Sequence, residues 1–178
     1  MSKILVMAGS PRKEGNTDTL VKAFTEGSLK NNEVDIIRAA DLDIHPCIGC
    51  NSCASREDGT CFRRDDMDMV IEKMKAADVI VMASPLYFCE ISAQLKMVMD
   101  RLHAPVRKQL PVKKLALIAV GASKEEDMFE VLKLHYASLI SHFHLEDAGM
   151  VLVSGVRKKG ELSDKDIKAA YELGLSIS

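Results

Sequence analysis

Apolar residues along this chain follow two alternating rhythms. Short runs rich in β-branched and aliphatic residues occur at Lys3 to Ala8, Val34 to Arg38, Val79 to Ala83, Leu115 to Val120 and Met150 to Val153. Most are almost continuously hydrophobic, as expected of strands covered on both faces of a parallel sheet. Between them apolar residues recur every three or four positions. Met67, Val70, Ile71 and Met74 form one helical stripe, with Asp65 and Asp66 placed to cap its start. Ile91, Leu95, Val98 and Leu102 form a second; Met128, Val131, Leu132, His135 and Leu139 a third. Ile167, Ala170 and Tyr171 form a fourth, opened by the capping pair Ser163 and Asp166.

With a further helix after the first loop, five strands alternate with five helices. The predicted fold is a three-layer, doubly wound α/β sandwich on a five-stranded parallel sheet in the flavodoxin-like order 2-1-3-4-5. Ligands of such sheets bind beyond the carboxyl ends of the strands where the order reverses, here between the first and third strands. No linker or repeat divides the chain, so residues 1–178 read as one domain with a cysteine-rich insertion at about 45–63. Lys and Arg number 24 against 26 Asp and Glu, which leaves no basic field for nucleic acid. No apolar run reaches the roughly 18 to 20 residues of a membrane span, and the start reads as a strand rather than a signal peptide. The expectation is a cytoplasmic protein, in whose reducing surroundings clustered cysteines bind metal or do redox work.

Two loops at the predicted switch point carry candidate chemistry. The first, Gly9 to Thr17, leads into a helix expected to begin at Asn16 or Thr17. Helix starts offer unpaired N–H groups and partial positive charge, so a phosphate fits there. Ser10, Arg12, Asn16 and Thr17 are placed to complete the cradle, and a monophosphate such as that of FMN suits them. Neither the Walker loop nor the G-x-G-x-x-G fingerprint is present. The plainer reading is a capped turn. The second loop contains Pro85, Leu86, Tyr87 and Phe88. Aromatic residues are 4% of the chain, so two side by side at this edge point to a flat ring, although either could instead serve the core. The adjacent Cys89 reads as a small buried filler.

Cys47, Cys50, Cys53 and Cys61 lie within fifteen residues. Three cysteines separated by two residues each present thiolates in the ferredoxin manner, with seven residues between the third and the fourth. Zinc, vacant thiols and a cluster all remain open readings. The histidines on the third helical segment read as surface or interface residues, the methionines as core filling and Arg157-Lys158-Lys159 as a solvated turn.

Several segments together resemble the iron-sulfur flavoproteins and the wider NADPH-dependent FMN reductase group. They are Gly9-Ser10-Pro11-Arg12-Lys13 with Gly15-Asn16-Thr17, the cysteines closing on Asp65-Asp66-Met67, Ala77-Asp78, Pro85-Leu86-Tyr87, and Ser92-Ala93-Gln94-Leu95-Lys96 ending in Asp100-Arg101. The resemblance spans roughly residues 3 to 125. It implies FMN with its phosphate held from Ser10 to Thr17, the flavin lined by Pro85 to Phe88, and Gly121, Ala122 and Ser123 approaching the ring. Ala122 departs from the second glycine usual at that place. The resemblance also implies a [4Fe-4S] centre on Cys47, Cys50, Cys53 and Cys61, and a homodimer or homotetramer in which one subunit's cluster nears its neighbour's FMN.

Four functions follow as expectations. The first passes electrons from a small-molecule or protein donor to an acceptor through cluster and FMN. The second is an NAD(P)H-dependent FMN or quinone reductase without a cluster. A non-enzymatic flavodoxin-type carrier and a zinc-stapled binding module are the others.

Overall fold

A computed structural model describes residues 1–125 and 127–178. Five strands, β1 (Lys3–Ala8), β2 (Glu33–Arg38), β3 (Val79–Pro85), β4 (Lys114–Val120) and β5 (Glu146–Val153), form one sheet in the order β2-β1-β3-β4-β5. Every neighbouring pair is parallel. The five helices are α1 (Asn16–Ser28), α2 (Met67–Lys75), α3 (Ala93–Arg101), α4 (Glu130–Phe143) and α5 (Asp164–Ser176). The predicted order and layering are those observed. Among the described residues no helix is long and apolar enough to cross a membrane.

Alternation along each strand divides the core. Leu5, Met7, Ile80, Met82, Leu115 and Leu117 face α2, α3 and α4. Ile4, Val6, Val79, Val81, Ala116 and Ile118 face the layer of α1 and α5. The latter helices approach closely because Gly27 and Gly174 meet at their crossing. A Cβ on Gly27 would lie 2.1 Å from the Tyr171 carbonyl oxygen, and one on Gly174 would lie 2.1 Å from that of Phe24. Ser163 and Asp166 form the expected capping box on α5.

Three local expectations are corrected. Asp66 occupies the N-cap of α2 but its carboxylate accepts the Asp43 N–H at 2.7 Å instead of capping the helix, whereas the Asp65 carboxylate accepts both the first N–H of the helix, that of Met67, at 3.2 Å and that of His45 at 3.1 Å. The buried face of α4 runs through Leu132 and Tyr136, following buried Phe129, and leaves Val131 51% exposed. The chain turns α4 this way because the Tyr136 hydroxyl lies 2.6 Å from the Leu115 carbonyl and 2.7 Å from Asp147 Oδ1. Burial, with the Asp147 carboxylate, pushes the Tyr136 phenol well above its usual range. Finally, β5 begins at Glu146 rather than Met150. Its first residues are polar because it is the edge strand, and a register shift opposite Leu115–Leu117 accommodates Gly149 at φ +105°.

Candidate functional site

The loop after β1 is held at both ends by backbone. Gly9 N–H donates to the Ala83 carbonyl at 2.7 Å. A Cβ at Gly9 would come within 2.7 Å of Ser92 Oγ, so only glycine lets β1 pass this close to the start of α3. Ser10 and Thr17 are buried, and Ser10 Oγ accepts Arg12 N–H at 3.2 Å. Arg12 stands exposed. Gly15 opens α1 without a side-chain cap. The first-turn N–H groups therefore face the loop as an anion cradle, which fits a phosphate.

The Asn16 amide takes a partner that periodicity could not reveal. Its Nδ2 donates to the Lys158 carbonyl at 2.9 Å, and its Oδ1 accepts Gly160 N–H at 3.2 Å. Lys159 reaches Glu14 at 3.0 Å. The basic turn after β5 is thus stitched to the loop after β1 while its side chains stay exposed to solvent. Arg38 reinforces the same edge by pairing with Asp18 at 2.6 Å and reaching the Ser10 carbonyl at 3.3 Å.

The loop after β3 joins this assembly through two serines. Ser92 N–H donates to Ser84 Oγ at 2.9 Å, while Ser92 Oγ donates to the Gly9 carbonyl at 2.6 Å and caps α3 by accepting Leu95 N–H. Leu86 N–H donates to the Val120 carbonyl at 2.7 Å. Beyond Pro85 and Leu86, Tyr87 and Glu90 exchange backbone hydrogen bonds across a two-residue turn in which Phe88 and Cys89 have φ of +49° and +65°. Such turns favour Asn-Gly, so two side chains in the left-handed region mark a strained, exposed tip. Phe88 is fully exposed, Tyr87 is 40% exposed, and Cys89 is exposed rather than buried. Neither aromatic belongs to the core. His135 Nδ1 meets Glu90 Oε2 at 2.5 Å, so this half-buried histidine braces the loop against α4 instead of lying on the surface.

After β4, Gly121 N–H donates to the Val153 carbonyl at 2.8 Å, and a Cβ there would strike Met128. Ala122 and Ser123 are exposed beside the other two loops' strand ends, and Ser123 Oγ accepts Glu125 N–H at 3.1 Å. Ser84, Ser92 and the 158–160 turn were the contributors missed as site-builders from the sequence. Their signal lies in long-range hydrogen bonds, which leave no local pattern.

Between β2 and α2 the cysteine segment is built on turns, with Gly49 and Asn51 in the left-handed region. Cys47, Cys50, Cys53 and Cys61 all line one cavity, together with Arg63 and Arg101. None is in a disulfide. Among the described residues no three His, Cys, Asp or Glu side chains converge as ligands of a single ion. Arg101 anchors the segment from α3: its Nη1 donates to Asp65 Oδ2 at 2.7 Å and to the His45 carbonyl at 2.9 Å, and its Nη2 to Asp65 Oδ1 at 3.2 Å. Burial works to raise the Asp65 pKa, but Arg101 and the N–H groups of His45 and Met67 outweigh it and hold the carboxyl below its usual value. The Nε atoms of Arg63 and Arg101 are buried without partners among the described residues. Unpartnered guanidinium donors in a cavity that also carries four cysteines suit an anionic occupant, and in their chemistry these residues fit an iron-sulfur cluster.

Sheet order, uncapped phosphate loop and strand-end ring loop define a flavodoxin-like α/β protein. The family model for NADPH-dependent FMN reductases matches residues 2–144. An iron-sulfur flavoprotein of Methanocaldococcus jannaschii is 46% identical over 125 residues, which cover 68% of this chain and 63% of that protein. One from Archaeoglobus fulgidus is 30% identical over 182 residues, covering 99% of this chain and 79% of that protein. The chain belongs to the NADPH-dependent FMN reductase family, in its iron-sulfur flavoprotein group, and FMN is the cofactor of that family. Solved structures share the fold at low identity. An NAD(P)H:quinone oxidoreductase from Methanothermobacter marburgensis superposes with TM-score 0.76 at 15% identity, covering 98% of this chain and 96% of that one. An FMN-dependent NADH-azoreductase of Bacillus anthracis in complex with FMN superposes with TM-score 0.68 at 16% identity, covering 97% and 96%.

Proposed function

We propose that the chain is an FMN-dependent oxidoreductase that passes electrons between a reduced donor and an acceptor, with a [4Fe-4S] cluster on Cys47, Cys50, Cys53 and Cys61 as relay. The observation that carries the reading is the joining of three strand-end loops by Ser92, Leu86 and Gly121 at the topological switch point. Ser10, Arg12 and Thr17 hold the phosphate with the first-turn N–H groups of α1, among them that of Asn16, whose side-chain amide is committed to the 158–160 turn. Pro85, Leu86, Tyr87 and Phe88 line the ring, and Gly121, Ala122 and Ser123 close its far side. When bound, FMN accepts and releases one or two electrons. The protein's own share is to orient the ring, exclude water with Tyr87 and Phe88, and place positive charge beside the phosphate. No side chain needs to act as acid or base.

A second reading is an NAD(P)H-dependent FMN or quinone reductase, supported by the names of the structural neighbours. Anaerobic preparation with FMN, iron and sulfide separates the two. About four irons and four sulfides per chain, with slow bleaching by NADPH and NADH, establish the first reading. Rapid bleaching by either nucleotide in iron-free protein establishes the second. Protein that refuses FMN overturns both.

The assembly proposed is a homodimer or homotetramer. A cavity of about 820 Å³ opens beside α3 and α4, with Cys47 and Gly49 at its rim and Leu139 and Phe143 in its wall. Val131, Leu134 and Phe143 stand exposed along α4. A second copy covering this apolar face would bring its own strand ends toward the cysteines.

A further inference from the structure

Buried polar atoms without partners are few in folded proteins, and each calls for a reason. Four side-chain atoms qualify among the described residues: Ser28 Oγ, Glu90 Oε1, Arg63 Nε and Arg101 Nε. Two of the four are guanidinium nitrogens, and both residues line the cavity shared by the four cysteines. They come from different elements, Arg101 from the end of α3 and Arg63 from the segment itself.

The Arg101 side chain is 2% exposed, as is that of Asp65. Pairing with Asp65 and the His45 carbonyl uses Nη1 and Nη2, fixes the plane of the guanidinium and leaves Nε–H uncommitted. If anchoring were all that this position did, a lysine would pair with Asp65 without burying an extra donor. Arg101 lines that cavity with Cys47, Cys50, Cys53 and Cys61, whose sulfurs are acceptors within it.

We propose that Arg101, locked by Asp65, is a positioning residue that donates its Nε–H to a cluster sulfur or cysteinyl sulfur, with Arg63 as a second donor. The inference rests on the cluster reading given above. Its consequence has a definite sign. A cluster gains one negative charge on reduction, so a fixed donor stabilises the reduced state more than the oxidised one and raises the midpoint potential.

The test compares anaerobically reconstituted wild type with Arg101→Lys, the double variant Asp65→Asn/Arg101→Gln, and Arg63→Gln. The first two keep the net charge of the 65–101 pair, so they report the lost donor; the double variant also avoids stranding a buried charge. Arg63→Gln alters a half-exposed residue and serves if the buried variants fail to fold. Iron, sulfide and FMN are counted, and cluster and flavin potentials are read by dye-mediated titration with spectra of the reduced cluster. The expected result is full cofactor content with the cluster couple shifted downward about tenfold in its reduction equilibrium, about 59 mV for one electron, and the flavin couple unmoved. Loaded variants with the wild-type cluster potential overturn the inference while leaving the cluster reading intact. Wild type that takes up no iron and sulfide overturns both.

Discussion

Asn16 and Asp65 illustrate how single side chains in this protein act through long-range partners. Asn16 binds two backbone groups of the 158–160 turn across more than 140 positions of sequence. Asn16→Ala should lose about 1 kcal/mol of ordering at that edge, seen as roughly fivefold weaker FMN binding in a fluorescence titration. Unchanged affinity would remove the turn from the site. Asp65 carries a pH signature. Its folded pKa lies below the ordinary value of about 3.9, so its stabilisation is complete above that pH and drains away as pH falls through the folded value. Urea unfolding between pH 7 and pH 2 should therefore show a steeper acid loss in wild type than in Asp65→Asn/Arg101→Gln. Asp65→Ala alone should cost about 3 to 5 kcal/mol at neutral pH, because it strands a buried guanidinium.

Helices here are placed by features that their hydrophobic stripes only partly report. The stripe of α2 was readable because its buried residues, Met67, Val70, Ile71 and Met74, are all apolar. On α4 apolar residues surround the helix, so sequence spacing chose Val131 where the fold buries Tyr136. The α1–α5 crossing depends on two glycines that helix propensity counts as defects. In an ordinary helix Gly174→Ala would gain roughly 0.5 to 1 kcal/mol. Here the added Cβ meets the Phe24 carbonyl at 2.1 Å, so a loss on the order of 1 to 3 kcal/mol is expected as a lowered thermal midpoint. A raised midpoint would show that the helices separate freely.

For the whole molecule, the sheet brings the loops after β1, β3 and β4 to one edge, while the cysteine cavity lies against α3. The exposed apolar residues of α4 give the proposed assembly a handle. Light scattering should report a dimer or tetramer, and Leu134→Glu should shift it toward monomer with little change in unfolding midpoint, since Leu134 is 69% exposed. A monomeric wild type would sink the assembly.

The strand-to-helix rhythm and the cysteine spacing were legible in the chain, because each is a local pattern of residue types; strand order followed from that rhythm through the rules that limit parallel crossovers. Three things were decided only by tertiary structure: the pairing of Asn16 with the 158–160 turn, the buried Asp65–Arg101 contact beside the cysteines, and the outward placement of Phe88 and Cys89. The first two join residues far apart in sequence, and the last follows from the hydrogen-bonded turn that holds both residues in the left-handed region. Such contacts exist only once the sheet has assembled, since their energy comes from desolvated partners that the unfolded chain keeps apart.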